Sequence, residues 1–357
     1  MTTTERPVVA SPHVLGDGQR VLRTRRGWSL RYHRRTAIVV GVLAFALALL
    51  LVAALMLGDY VVSPAALIDT LRGQAPDRRT EFFVLGRRLP RALVAMTVGA
   101  CLAVAGAIFQ GLTRNPLASP DVVGVSSGAA VGAVLVMLVF EGSVDQAAIG
   151  AAVGAIVVAA VIVLLTWRSG LHGVQLILTG IALSVFAMAI VDYVLSQVFG
   201  ASATTAQTWL VGSLQGRSWS DLIPALIALA LITPLLIWKS ADARVMALGD
   251  GIAIGLGVRT TRARWLLLVA ATLLVAVAVA TAGPISFVAL VAPHIARSLT
   301  KTPSFAASAL VGAMLLLVSD LIALYAFPAP LPAGAVTITA GGAFFLWLLW
   351  REGRTRA

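Results

Sequence analysis

The stretch AIVVGVLAFALALLLVAALML (Ala37–Leu57) carries no charged side chain from end to end. A helix needs about 20 apolar residues to cross the hydrocarbon core of a bilayer, so this run reads as a membrane span. It is too long, and too far from the N-terminus, for a cleaved signal peptide. The rest of the chain agrees with it. Of the 357 residues 59% are hydrophobic and 12% charged, with mean hydropathy +0.95, whereas soluble domains carry about 25% charged residues. Lipid is the solvent this composition requires, and the expected fold class is an all-α polytopic membrane protein.

Nine further apolar segments follow. They are Ala92–Gln110, Val122–Phe140, Ala147–Trp167, Leu176–Val198, Leu222–Trp238, Trp265–Thr281, Ile285–Leu299, Ala306–Phe327 and Ala335–Trp350. The reading is therefore about ten transmembrane helices over residues 37–352. A disordered basic tail (1–36) precedes them and a short tail (353–357) follows. With the N-terminus inside, the inner segments hold 20 of the 27 Lys and Arg residues. That matches the positive-inside rule and predicts that both termini are cytoplasmic.

The net charge of +12 fits topology control better than phosphate binding, and no nucleic-acid partner is expected. Contact of the basic tail with anionic lipid is a minor reading. The single cysteine, Cys101, excludes a disulfide within the chain. The four histidines, His13, His33, His172 and His294, are scattered, so no metal site is expected. A Walker A loop needs a Gly-rich turn followed by Lys; Lys239 and Lys301, the only lysines, do not follow glycine. ATP is not expected on this chain. No Ser–His–Asp set, HExxH helix or carboxylate pair can be assembled, so an enzyme is not expected either.

Several segments could carry function. Asp192 and Asp320 lie in otherwise apolar spans, towards the predicted outer end. They suit cavity-lining acids better than an ion-coupled relay, and neither shows a partner base. LTRNPLASPDVVGV (112–125) and AGPISFVALVAPHIAR (282–297) place proline and polar backbone at membrane depth. Such backbone is tolerated only where protein or a water-filled cavity satisfies it. Asn115, Pro116, Ser126, Ser127 and Pro284 are accordingly pathway candidates, with Asp192 and Asp320. The runs GACLAVAGA, GVSSGAAVGA and GAAVGA (residues 99–107, 124–133 and 150–155) have the small-residue spacing of close helix packing. Six arginines, Arg72, Arg78, Arg79, Arg87, Arg88 and Arg91, lie outside. They read equally as a solvated loop or as a docking surface for an acidic partner. The connection 239–264 is expected to form two short helices split at Gly249–Gly251 and ended by Gly257. Met246, Leu248, Ile252, Ile254 and Leu256 there are too apolar for a solvated loop and point to a partner at the inner face.

Four segments together resemble the ABC importer permeases for siderophores and cobalamin. They are RLPRALVAMTVGACLAVAGAIFQGLTRNPLASPDVVGVSSGAAVGA (88–133), WLVGSLQGRSW (209–219), ALGDGIAIGLGV (247–258) and AGPISFVALVAPHIAR (282–297). Within that family LTRNPLASPDVVG and the GSL…W segment look most like the ferric enterobactin branch. The resemblance implies a type II importer in the bacterial inner membrane with ten helices per subunit. A second permease subunit, sister chain or self, would pair with this one. Two ATPase subunits, carrying ATP and magnesium, and a substrate-binding protein would complete the assembly. It implies that Arg88 and Arg91 meet acidic residues of the binding protein. It also implies that Met246, Leu248, Gly249, Asp250, Gly251, Gly255, Leu256 and Gly257 form the ATPase-coupling element, and that His172, Gly173 and Val174 gate the path on the cytoplasmic side. Cobalamin-type relatives carry an Arg and an ELPxG turn where DLIALYAFPAPLPAG (320–334) has neither. That departure leans towards ferric siderophore as substrate, with cobalamin or haem as the alternative. An ion-coupled carrier is the reading from another class.

Overall fold

The computed structural model describes residues 14–15, 19–23, 29–58, 60–121, 124–166, 173–198 and 200–356. Lipid leaves a crossing chain few options, because each backbone N–H and C=O must find its partner inside the protein. Helices dominate accordingly. Their order is α1 (Arg34–Met56), α2 (Pro64–Leu71), α3 (Arg78–Glu81), a π-helical turn Phe82–Arg88, and α4 (Leu89–Thr113). Next come α5 (Val125–Val134), prolonged by π-helical Leu135–Val139, α6 (Val144–Thr166), α7 (Gly173–Gln197) and α8 (Ala201–Val211). The chain continues with α9 (Trp219–Met246), α10 (Asp250–Gly255), α11 (Thr260–Ala282), α12 (Val288–Thr300), α13 (Phe305–Tyr325) and α14 (Ala333–Arg356).

Eight of these, among the described residues, are long and apolar enough to cross a membrane. The third and eighth predicted spans exist but are short: residues 125–139 and α12. The first follows the proline-bearing stretch 112–125, and α12 begins within the stretch 282–297, after Pro284 and with Pro293 inside it; a proline cannot continue a helix from the preceding turn without loss of a hydrogen bond. Three expectations need correction. The tail 1–36 is not wholly irregular, because β1 (Val14–Leu15), β2 (Gln19–Arg23) and β3 (Ser29–His33) form an antiparallel sheet in the order β1-β2-β3. Charge counting missed it, although Val21, Leu22, Leu30 and Tyr32 suit strands. The C-terminal tail continues α14 to Arg356. Between residues 239 and 264 only α10 is a separate short helix, since the preceding segment prolongs α9 to Met246.

The bundle is built around α4. Of the apolar window in Arg78–Thr113, 83% is buried, against 17% for α1. α9, α11, α12 and α13 all pack on α4. Small residues make this possible. A Cβ on Gly106 would collide with the Ala289 carbonyl at the start of α12, and Gly132 and Gly150 face each other in the same way between α5 and α6. Without a hydrophobic force between helices in lipid, such close backbone approach supplies the packing energy.

Gly106 lies seven residues before the end of α4, about 10 Å at 1.5 Å per residue. α12 therefore begins well inside the bundle. α5 does too: Gly128 packs on Gly154, twelve residues before the end of α6, and Val125 shares a cleft with Phe109 and Ile162. Two half-helices thus start at similar depth and run towards opposite ends.

Replacing Gly106 by Leu should destabilise the bundle by about 3 kcal/mol or more, the upper range for overpacking. Gly41→Leu on α1, where nothing lies within 4 Å, should be silent. Thermal unfolding of the two detergent-solubilised variants checks this; equal melting temperatures would contradict the packing argument.

Candidate functional site

Three constellations of polar residues interrupt the apolar bundle. The first lies at the end that carries α2 and α3. Arg91 Nε and one Nη each donate to Asp320 at 2.8 Å, a two-pronged pair between α4 and α13 in which Asp320 is only 3% exposed. Arg88 donates to the Leu55 carbonyl at 2.8 Å and the Tyr60 carbonyl at 2.6 Å. The two arginines assigned to docking are thus committed to holding α1, α4 and α13 together. Asp320 has the partner base that sequence did not reveal, and it is no path-lining acid. Arg72, Arg78, Arg79 and Arg87 remain exposed on the same surface.

The second constellation is α10 at the opposite end. Leu248, Ile252, Ile254 and Leu256 are 53–66% exposed, so the predicted apolar surface exists. Met246, grouped with it from sequence, is instead buried with Ala253 and Ala263 and anchors the short helix. Gly249 (φ +124°) and Gly257 (φ +81°) make the turns that bound α10, and Gly251 and Gly255 have open space beside them. Asp250, the first residue of α10, accepts from Arg114 at 2.5 Å and from Arg264 at 3.0 Å. Partial burial raises the Asp250 pKa, but hydrogen bonds and charge from Arg264 and then Arg114 outweigh it and hold the carboxyl below its usual range. The triad is ionised at neutral pH. It ties α10 to the end of α4 and the first turns of α11.

The third lies where the half-helices begin. The Asp121 carboxylate accepts from Ser126 Oγ at 2.6 Å, in the first turn of α5. The backbone N–H of Phe287, the residue before α12, faces the same carboxylate. A helix N-terminus carries about half a positive charge and unpaired N–H groups. Two such ends meet inside the bundle, with one carboxylate beside both. Phe287 holds φ +68°, and its ring presses on Gly341 of α14, where a Cβ would not fit. Gly124 (φ +88°) lies against Gly180 and Ser184 of α7.

The remaining candidates do not form one line. Asn115 Oδ1 accepts from the Leu117 N–H at 2.9 Å in a local turn, and Pro116 is exposed beside it. Ser127 is half-buried on α5. Pro284 lies at the far end, where its carbonyl abuts Gly212, Ser213 N–H donates to the Ala282 carbonyl at 2.8 Å, and Gly334 N–H donates to the Gly212 carbonyl at 3.0 Å. Asp192 is exposed on α7. His172 lies outside the described residues; Gly173 and Val174 open α7, but their side chains fall outside them too. Sequence reasoning overlooked Asp121, Arg114, Arg264 and the polar helix α8. The acid in RNPLASPD was the available signal, because it follows two prolines inside a segment already judged to lie at membrane depth.

Removing one member of a buried ion pair typically costs about 3–5 kcal/mol, whereas replacing both by apolar groups is often neutral. Asp320→Leu should therefore lower the melting temperature sharply, and Arg91→Leu/Asp320→Leu should recover most of the loss. A double variant as unstable as the single would rule out the pair as the cause.

Comparison with known proteins places this architecture. Residues 46–351 match the model of the FecCD transport family. The chain is 40% identical to the ferric enterobactin transport system permease protein FepG of Escherichia coli, over 84% of this chain and 91% of that protein. It is 39% identical to the Fe(3+)-citrate import system permease protein YfmE of Bacillus subtilis, over 91% and 98%. To the vitamin B12 import system permease protein BtuC of Escherichia coli O157:H7 it is 37% identical, over 77% and 86%. A solved structure titled as an inward-facing conformation of a metal-chelate type ABC transporter superposes with a TM-score of 0.80 at 28% identity, covering 88% of this chain and 99% of that one. The chain is a membrane permease subunit of an ABC importer and belongs to the FecCD transport family.

Proposed function

We propose that this subunit passes a ferric siderophore complex across the bacterial inner membrane, with both termini cytoplasmic and ATP hydrolysed on two partner subunits. The observation that carries the reading is α10. An aqueous loop that exposes Leu248, Ile252, Ile254 and Leu256 and is braced by an ionised triad is built to press on another protein. An ion-coupled carrier has no use for such a surface. At the other end, Arg72, Arg78, Arg79 and Arg87 form the contact for an acidic binding protein. Arg88 and Arg91 shape that surface from beneath.

The path lies between this chain and a second permease subunit, bordered by the uncovered face of α7. Asp192 supports that placement. It is exposed and makes no hydrogen bond or ion pair among the described residues. Asp192 stands five residues before the end of α7, where a carboxylate can reach interfacial water, so its exposure fits a wetted rim on this face. Iron relatives outnumber the vitamin B12 ones among the matches given above, and the arginine-poor stretch 320–334 supports iron further.

Reconstituted with an ATPase and a binding protein, the chain should drive ATP-dependent uptake of a ferric siderophore and not of cobalamin; the reverse preference would refute the substrate reading. Leu248→Asp/Ile252→Asp should abolish co-purification of the ATPase while the permease still inserts. Reversing Arg72, Arg78, Arg79 and Arg87 to Glu should weaken binding-protein affinity at least tenfold. The wild-type affinity should fall with added salt, as exposed charges are screened beyond about 10 Å at 0.1 M. Unchanged affinity would remove the docking surface.

A further inference from the structure

The segment between Arg114 and Asp121 links two constellations that otherwise have no reason to communicate. At one end Arg114, in left-handed conformation (φ +52°) as the last cap of α4, grips Asp250 of α10. At the other, about 10 Å inside the bundle by the helix registers given above, Asp121 holds the starts of α5 and α12.

The intervening residues are stiff. Pro116 and Pro120 fix their own φ angles. Asn115 closes a turn on Leu117 and Ala118, and Ala118 and Ser119 are 3% and 4% exposed. A segment so constrained transmits displacement instead of absorbing it. At its inner end begin residues 125–139 and α12, the two shortest of the helices that fill the ten expected spans, and Phe287 and Gly124 beside it touch α14 and α7.

We infer that residues 114–121 form a rigid strut that carries movement of α10 to the common origin of α5 and α12, with the Arg114–Asp250 ion pair as its outer joint. The inference rests on the importer reading, since it needs an ATPase to move α10. Arg114 is a positioning residue. It is 44% exposed and acts through Asp250. Arg264 braces the same carboxylate from α11 and so keeps α10 oriented whether or not the strut is engaged. The strut thereby separates two tasks that one short helix must perform. The exposed apolar face holds the ATPase, and the ionic joint passes the motion inward.

The test is the number of substrate molecules taken up per ATP hydrolysed, in proteoliposomes holding the full transporter, its binding protein and the iron chelate that the wild type transports best. Arg114→Met keeps the length and removes the charge; it should lower that ratio at least tenfold while the ATPase still co-purifies at wild-type stoichiometry. Arg114→Lys restores the charge and should retain at least half of the wild-type ratio. A merely structural role would lower both variants together through loss of assembled protein, leaving the ratio untouched. Wild-type coupling in Arg114→Met overturns the inference, as does Arg114→Lys as impaired as Arg114→Met. Loss of the ATPase from Arg114→Met also overturns it, because Arg114 would then serve docking. If the wild type shows no ATP-driven uptake at all, the importer reading itself fails and takes the strut with it.

Discussion

Two helices of this bundle begin inside it, and a half-buried carboxylate lies where they start. Where a spanning helix is interrupted, its first N–H groups lose their partners and its dipole ends in a partial positive charge, both far from water. Asp121 stands at both starts, accepting from the Ser126 hydroxyl in the first turn of α5 and facing the Phe287 N–H before α12. The short spans, the left-handed Phe287 and the glycine of α14 that its ring requires all depend on this junction.

Charge is used differently at the two ends of the bundle. At the α2–α3 end the Arg91–Asp320 pair is sealed between helices and fixes geometry. At the α10 end the Asp250 triad is half open to solvent, where an ion pair is worth little to stability. Its value there is direction, since two arginines from different elements define where a short helix sits. The apolar face beside it then has one orientation to offer a partner.

The spans were legible because about 20 apolar residues in a row admit one reading, and ten segments were found where helices stand. The short third and eighth spans were legible only as proline-bearing stretches: periodicity cannot say how deep a helix begins. Partners across the fold were invisible. Arg91 and Asp320 are 229 positions apart, so each looked unpaired, and the family likeness assigned Arg91 to docking. Arg114 and Arg264 registered only as inward-facing positive charge. Met246 shared the apolarity of Leu248 and Ile252, and only packing separates an anchor from a contact residue. The small sheet at residues 14–33 escaped because charge dominated the reading of that tail.

The account stands or falls on whether α10, the strut and the half-helix origins move as one body. Structures of the assembled transporter in nucleotide-free and ATP-bound states measure this directly. The account predicts that Asp250 keeps both arginines and Asp121 keeps Ser126 and the Phe287 N–H in each state, while the starts of α5 and α12 shift together with α10. An Arg114–Asp250 contact that opens while the junction stays still, or a junction that shifts with α10 unmoved, would contradict it.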